Sequence, residues 1–262
     1  MLCAQIVCAQ DLNFESDEAP ERAELETDRD AFTPAMTTVG YRTLVVESAY
    51  SFIDGDEGNS SDAHSFPELL TRYGISDWLE VRLGWNYEIG GENPVSGAGG
   101  GDDLTGGSEA ESRIFYGLKA QLTEQDDWLP RSIFIAQGFT PTSGEETTTQ
   151  FVGTYGFGWE LIHRMRWDSA IRYGTAGESD DRFNEWAPST VLRVPLGERW
   201  NAHVEYFAIA TDGAEDERTL AFISPGVHCL VTENLELGAR VGWGTTEDAP
   251  NSFVNVGFGA RY

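Results

Sequence analysis

From about Thr38 to the last residue, one pattern repeats: a run of roughly ten residues with apolar side chains at every second position, then a connection. Twelve such runs can be marked, at 38–53, 64–74, 77–90, 111–123, 131–140, 150–161, 164–174, 184–195, 199–211, 219–231, 234–244 and 252–262. Period two is the signature of a strand whose two faces meet different surroundings. The connections alternate as strictly as the residues do. "ISD", "HR", "GER" and "TEN" are tight turns, and "EQDDWLP" is short. The six connections between them are longer, acidic and mostly glycine-rich, for example "DGDEGNSSDA" and "GENPVSGAGGGDDLTGGSEA". All long loops therefore leave one end of an up-and-down meander, and all short turns leave the other. A sandwich with Greek-key crossings has no reason to keep that parity. An all-β, antiparallel transmembrane β-barrel of about twelve strands does.

The clearest runs show what each face carries. "DWLEVRLGWNYEI" puts Leu79, Val81, Leu83, Trp85, Tyr87 and Ile89 against Glu80, Arg82, Gly84, Asn86 and Glu88. The runs at 38–53, 131–140 and 219–231 are less clean, and their facing stays open. A twelve-stranded barrel is too wide for side chains alone to fill, since about eight strands already give a filled interior. An apolar interior would be a large dry cavity, whereas a wet lumen relieves the cost of burying charge. The apolar face is therefore assigned to lipid and the polar face to the lumen. Lumen-lining candidates are Glu80, Arg82, Glu88, Lys119, Arg166, Asp168, Arg172, Arg193, His203, Glu205, Glu236, Arg240 and Arg261. Tyr73, Tyr87, Trp159, Tyr173, Trp186 and Trp243 lie near strand ends on the apolar face, where an interfacial girdle would sit. A soluble barrel or sandwich requires the opposite facing.

Composition narrows the partners. The net charge is −27, from 44 acidic and 17 basic residues, which argues against nucleic acid as a partner. The basic set is sixteen Arg and one Lys, Lys119, a bias suited to pairing at fixed geometry. Residues 1–9, within "MLCAQIVCAQ", read as the remnant of a signal peptide cut after Ala9, with a truncated start. Residues 10–36 read as a disordered acidic leader, with nine acids between Asp11 and Asp30 against Arg22 and Arg29. The barrel is assigned to 37–262. No apolar run reaches the length of a transmembrane helix, which leaves a strand-built span open. Cys3, Cys8 and Cys229 imply no disulfide framework.

Three stretches carry a family resemblance: "FPELLTRYGISDWLEVRLGWN", "ESRIFYGLKAQLTEQDDWLP" and "TENLELGARVGWGTTEDAPNSFVNVGFGARY". "TDRDAFTPAMTTVGYRTLVVESAYSF" also looks like the start of that family's first strand. Together they span about Thr27 to Tyr262 and resemble the outer-membrane transporters named for the MetA-pathway of phenol degradation. The short export segment and the extended loop Gly90–Ala110 depart from the family pattern. The resemblance implies an outer-membrane barrel and transport, with small aromatic or hydrophobic compounds as one class of solute. The closing strand is similar to the C-terminal signal recognised by the barrel assembly machinery, carried here by Val254, Val256, Phe258 and Tyr262. It is expected to pair with the first strand, so that no sheet edge remains.

Little in the sequence points to an enzyme. His64, His163, His203 and His228 share no metal-ligand spacing, and no metal or cofactor is expected. Ser224 and His228 share a face four residues apart, and His203 alternates with Glu205. The His203–Glu205 pair reads as pore-lining polar groups, and the Ser224–His228 spacing as a coincidence of a Ser-containing strand, rather than as a catalytic pair. The six long loops hold nineteen acids against Arg182 and Arg218, about −17, which repels anions from that mouth. The expected protein is a passive channel in the cell outer membrane. Its expected partners are membrane lipid, the assembly machinery and a small solute. Two other readings stay open: a structural or surface-binding barrel that does not transport, and a secreted soluble β-protein holding an apolar ligand.

Overall fold

A computed structural model describes residues 24–55, 62–90, 110–144, 147–176, 182–215 and 217–262. The expected signal remnant, most of the acidic leader and the tips of several long loops lie outside these residues. Thirteen strands form one antiparallel sheet: β1 (Leu44–Asp54), β2 (Ala63–Ser65), β3 (Leu69–Ser76), β4 (Leu79–Ile89), β5 (Glu111–Thr123), β6 (Arg131–Ser143) and β7 (Gln150–Glu160), then β8 (Arg166–Ala176), β9 (Phe183–Pro195), β10 (Trp200–Asp212), β11 (Thr219–Thr232), β12 (Leu235–Gly244) and β13 (Ser252–Arg261). From β4 onward each strand pairs with its chain neighbours. β13 also pairs with β1, from Val45 opposite Arg261 to Asp54 opposite Ser252, and closes the barrel. Leu44 and Tyr262 exchange both backbone hydrogen bonds at 3.3 and 2.8 Å, so the expected seam is present.

β2 and β3 together make one stave, so the barrel has twelve. The break falls at Phe66-Pro67, where proline has no N–H to give to a ladder. The amides on either side still bond the flanking staves: Phe66 N donates to the Tyr87 carbonyl and Glu68 N to that of Ala49. The first strand starts at Leu44 rather than at 38. Before it, the chain turns at Gly40 (φ +83°) and lies across β3, where Arg42 N donates to the Gly74 carbonyl at 2.8 Å. That approach is possible only because Gly74 has no side chain, since a Cβ there would stand 1.7 Å from the Gly40 oxygen.

Facing follows the alternation. Val81, Leu83, Trp85, Ile114, Tyr116, Leu118, Leu237, Val241 and Trp243 are exposed on the outside, while Glu80, Arg82, Arg113, Lys119, Glu236 and Arg240 are buried within. The three unclear runs also resolve. β1 turns Val45, Glu47, Ser51 and Ile53 inward, β6 turns in Ile133, Ile135 and Phe139, and β11 turns in Leu220, Phe222, Ser224 and His228. The lumen is thus not polar throughout, as the alternation had implied. Toward the loop end Phe207, Ile209, Leu220, Phe222, Phe253 and Ile53 form one apolar cluster, and Leu70, Phe115, Phe139 and Val152 form another.

The largest departure from expectation is the acidic leader. Residues 24–36 do not trail away from the barrel. Thr27 to Thr33 are all buried, several completely, inside the lumen. They form a loop without regular structure that enters and leaves at the turn end. Its neck is closed by Thr37 Oγ1 donating to Glu26 Oε2 at 2.7 Å.

Candidate functional site

The site is the lumen with this inserted loop in it. One side of the loop meets a cluster of three carboxylates and three cations. Asp28 accepts from Lys119 Nζ at 3.0 and 3.1 Å and from Arg82, and Arg72 lies 3.7 Å away. Arg72 is also held by Glu47 at 3.0 Å and Glu80 at 2.8 Å. Asp28, Glu47 and Glu80 balance Arg72, Arg82 and Lys119 in charge. All six are within about 2% of full burial, where an unpaired charge would be expensive. The loop backbone takes part too: Asp28 N and Arg29 N donate to Glu47, and Ala35 N donates to Asp28 Oδ1 at 3.0 Å.

The loop tip meets the opposite wall. Glu205 on β10 accepts from Phe32 N at 2.8 Å, Thr33 N at 2.6 Å and Thr33 Oγ1 at 2.7 Å. Arg240 on β12 pairs with the same carboxylate at 3.2 Å. Thr33 Oγ1 also reaches Ser189 Oγ at 2.9 Å. Arg193 pairs with Asp168 and donates to the Thr33 carbonyl. Phe32 stacks on Phe207 with centroids 4.4 Å apart, and the Arg172 guanidinium lies 3.8 Å from its centroid on the other side. The tip therefore joins the apolar layer of the loop end to the charged layer of the turn end. At the neck, Glu26 pairs with Arg166 and Glu24 with Arg164 at 3.0 Å. Thr27 donates to Glu236 at 2.7 Å.

Of the residues expected to line the lumen, Glu80, Arg82, Lys119, Arg166, Asp168, Arg172, Arg193, Glu205, Glu236 and Arg240 all lie beside the loop. Glu88 sits apart, nearer the loop end, where Arg113 is 3.9 Å away. Arg261 is corrected: it lies at the rim, donating to Asn234 Oδ1 at 3.0 Å and to the Glu233 carbonyl at 2.7 Å, and so braces β13 against the β11–β12 turn rather than lining the pore. Sequence reading missed Glu47, Arg72 and the loop's own Asp28 and Asp30. A signal was available, because the expected lining set held seven cations and five carboxylates, and a further anionic element completes it. Ser224 donates to the Val241 carbonyl at 2.9 Å, not to His228. His203 and His228 stack with centroids 5.3 Å apart, and Asp30 reaches to 3.2 Å from His228 Nδ1.

Val254, Val256 and Phe258 face outward beside the exposed Tyr262. Trp78, Trp128, Trp167, Trp200 and Trp243 are likewise exposed, and Trp128 is 91% so. No helix among the described residues is long and apolar enough to cross a membrane.

Known proteins agree with this architecture. No curated protein sequence matches the chain. Among solved structures, the chain is similar to the COG4313 outer membrane channel from Pseudomonas putida F1, with 12% identity and a TM-score of 0.59 over 87% of this chain and 98% of that one. It is similar to the NanC porin at 8% identity and a TM-score of 0.54, covering 83% and 98%. The translocator domain of the autotransporter NalP from Neisseria meningitidis gives 9% identity and a TM-score of 0.54, covering 84% and 88%. At such identities the likeness is one of fold, and the shared fold is the outer-membrane barrel. A family model described as "Putative MetA-pathway of phenol degradation" matches residues 27–262, from inside the inserted loop to the last residue, and the chain belongs to that family.

Proposed function

We propose that the protein is a passive channel for small solutes, closed at rest by its own residues 24–37. The observation that carries this reading is the nature of the contacts. The wall is complete without the loop, because every stave is paired on both sides by other staves. The loop adds no strand to it. It is held mainly by ion pairs and single hydrogen bonds, which water and salt can replace when it leaves. The wall cations it releases would then line a wet pore. The phenylalanine layer at the loop end suits solutes with a small apolar or aromatic body, in line with the likeness to channel and porin folds.

A disulfide across the loop tip tests this. Thr33→Cys with Ser189→Cys replaces a side-chain contact of 2.9 Å, in a background with the three native cysteines changed to Ser. In planar bilayers the oxidised protein should stay closed, and reduction should restore wild-type conductance. Equal, non-zero conductance in both states would refute the loop as the barrier. A folded barrel that conducts in neither state, even with residues 24–37 deleted, would favour the non-transporting structural reading.

A further inference from the structure

Asp30, His203 and His228 come from three separate elements: the loop tip, β10 and β11. They offer one ligand atom each, all within 4.8 Å of one another. The side chains are 7%, 5% and 4% exposed. Among the described residues, Asp30 Oδ1, both ring nitrogens of His203 and Nδ1 of His228 have no hydrogen-bond partner. His228 Nδ1 lies 3.2 Å from Asp30 Oδ2, yet without the geometry of a hydrogen bond. Buried polar atoms are nearly always paired, so unmet atoms on three converging side chains call for a missing ligand. A cation between them would satisfy all three residues at once.

The wall is shaped for this arrangement. His203 stands opposite Gly226 across the β10–β11 pair. A Cβ at Gly226 would be 2.3 Å from His203 Cε1 and 2.6 Å from its Nε2, so the imidazole lies over the space the missing side chain leaves. That brings it toward His228, two residues further along the same face of β11. Asp30 is set by its chain neighbours, since Phe32 and Thr33 are fixed by Glu205 and Phe207. The charged groups around the triad are Arg29, Arg166, Arg193, Arg240, Asp168, Glu205 and Glu236. Asp168 pairs with Arg193, Glu205 with Arg240 and Arg166 with Glu26, which leaves Arg29 and Glu236 to offset one another.

We propose that Asp30, His203 and His228 bind one divalent transition-metal ion, and that the bound ion pins the inserted loop to the wall. Two imidazole nitrogens and one carboxylate oxygen suit ions such as Zn²⁺, Ni²⁺ or Cu²⁺ and not Ca²⁺ or Mg²⁺, which take oxygen-rich sets. Three protein ligands leave a further position for water. The pinning clause rests on the loop being the movable barrier; the metal site does not.

The test uses the full-length protein in detergent micelles, stripped with a chelator, reloaded with Zn²⁺, desalted and assayed by elemental analysis. The wild type should retain about one Zn²⁺ per chain, and His203→Gln, His228→Gln and Asp30→Asn should each lose most of it. Heat-modifiable gel migration confirms that each variant is a folded barrel. Any variant that fails this check is replaced by Gly226→Val, which pushes the His203 ring aside and should also reduce retention. No retention by folded wild type, or equal retention by the folded His203→Gln/His228→Gln double variant, would overturn the site. In bilayers Zn²⁺ should lower the open fraction of wild type and leave the double variant unchanged. Stoichiometric, histidine-dependent binding with no change in conductance would overturn the pin alone. If the Thr33–Ser189 disulfide also leaves conductance unchanged, the failure lies in the reading of the loop as the barrier.

Discussion

Asp28→Asn should open the channel. The substitution keeps the shape of the side chain and an oxygen for Ala35 N, and removes one negative charge. In the wild type that charge lies against Lys119, Arg82 and Arg72, balancing a buried set of three carboxylates and three cations. Asparagine leaves the set one positive charge in excess, and that excess is buried while the loop is inserted. Once the loop leaves, Arg82 and Lys119 face water and gain from it. Breaking a buried ion pair by removing one partner costs about 3–5 kcal/mol, and rehydration in the open state places the effect at the low end, about 3 kcal/mol. At 1.4 kcal/mol per factor of ten, the closed-to-open ratio falls about 150-fold. Single-channel recording in planar bilayers reads that ratio directly. Glu24→Gln supplies an internal comparison. Its partner Arg164 is 71% exposed, and an exposed pair contributes about 0–1 kcal/mol, so its ratio should change by about fivefold at most. Equal ratios for wild type and Asp28→Asn, in barrels shown to be folded, would refute the claim that this charge set holds the loop.

Glu205→Ala should strand the amides of Phe32 and Thr33 and expose the loop tip to proteases. With hydrogen bonds to a charged group worth about 1.5–3 kcal/mol each, cleavage within residues 24–37 should rise at least about tenfold in limited digestion. Gly74→Val should push residues 38–43 off β3, because its Cβ would meet the Gly40 carbonyl, and the barrel should unfold at a lower temperature in detergent. A normal melting profile would show that the crossing is not needed. Deleting Tyr262 removes the backbone pair with Leu44 and the outward aromatic at the seam. The folded fraction in outer-membrane preparations, read by heat-modifiable migration, should drop, and normal insertion would count against the terminal aromatic as an assembly signal.

The barrel was legible in the sequence because its determinants are local. Each residue of "NLELGARVGW" meets either lipid or lumen, and that difference is written two residues apart. The seam was legible for the same reason, since Val254, Val256 and Phe258 alternate with Asn255, Gly257 and Gly259. The stave broken at Pro67 was less so, because the inward positions shift across it from Ala63 and Ser65 to Glu68, Leu70 and Arg72, and a single alternating run does not show that shift. The inserted loop was not legible as such. Acidic, weakly apolar residues such as Glu24 to Asp30 look alike whether they face bulk water or a ring of arginines. The ring itself is spread over strands from β3 to β12, and only closure of the barrel brings it together. The histidine pair shows the same limit. His203 and His228 are 25 positions apart, and Asp30 is far from both in the chain, so no spacing rule joins them.

The inserted loop passes in and out through the same end of the barrel. Glu24 at Arg164 marks one leg, and Val39 N donating to Glu80 at 2.9 Å marks the other. A pull on the chain before Glu24 would therefore load these contacts in series. The Arg164 pair would give first, then Arg166, then Glu236, and only then the Asp28 cluster and the tip. Peeling in that order sets the force by the strongest single contact, whereas pressing on the whole loop from the opposite mouth would load every contact at once. A loop fixed in this way is far easier to remove by traction from the turn end than by pressure from the loop end.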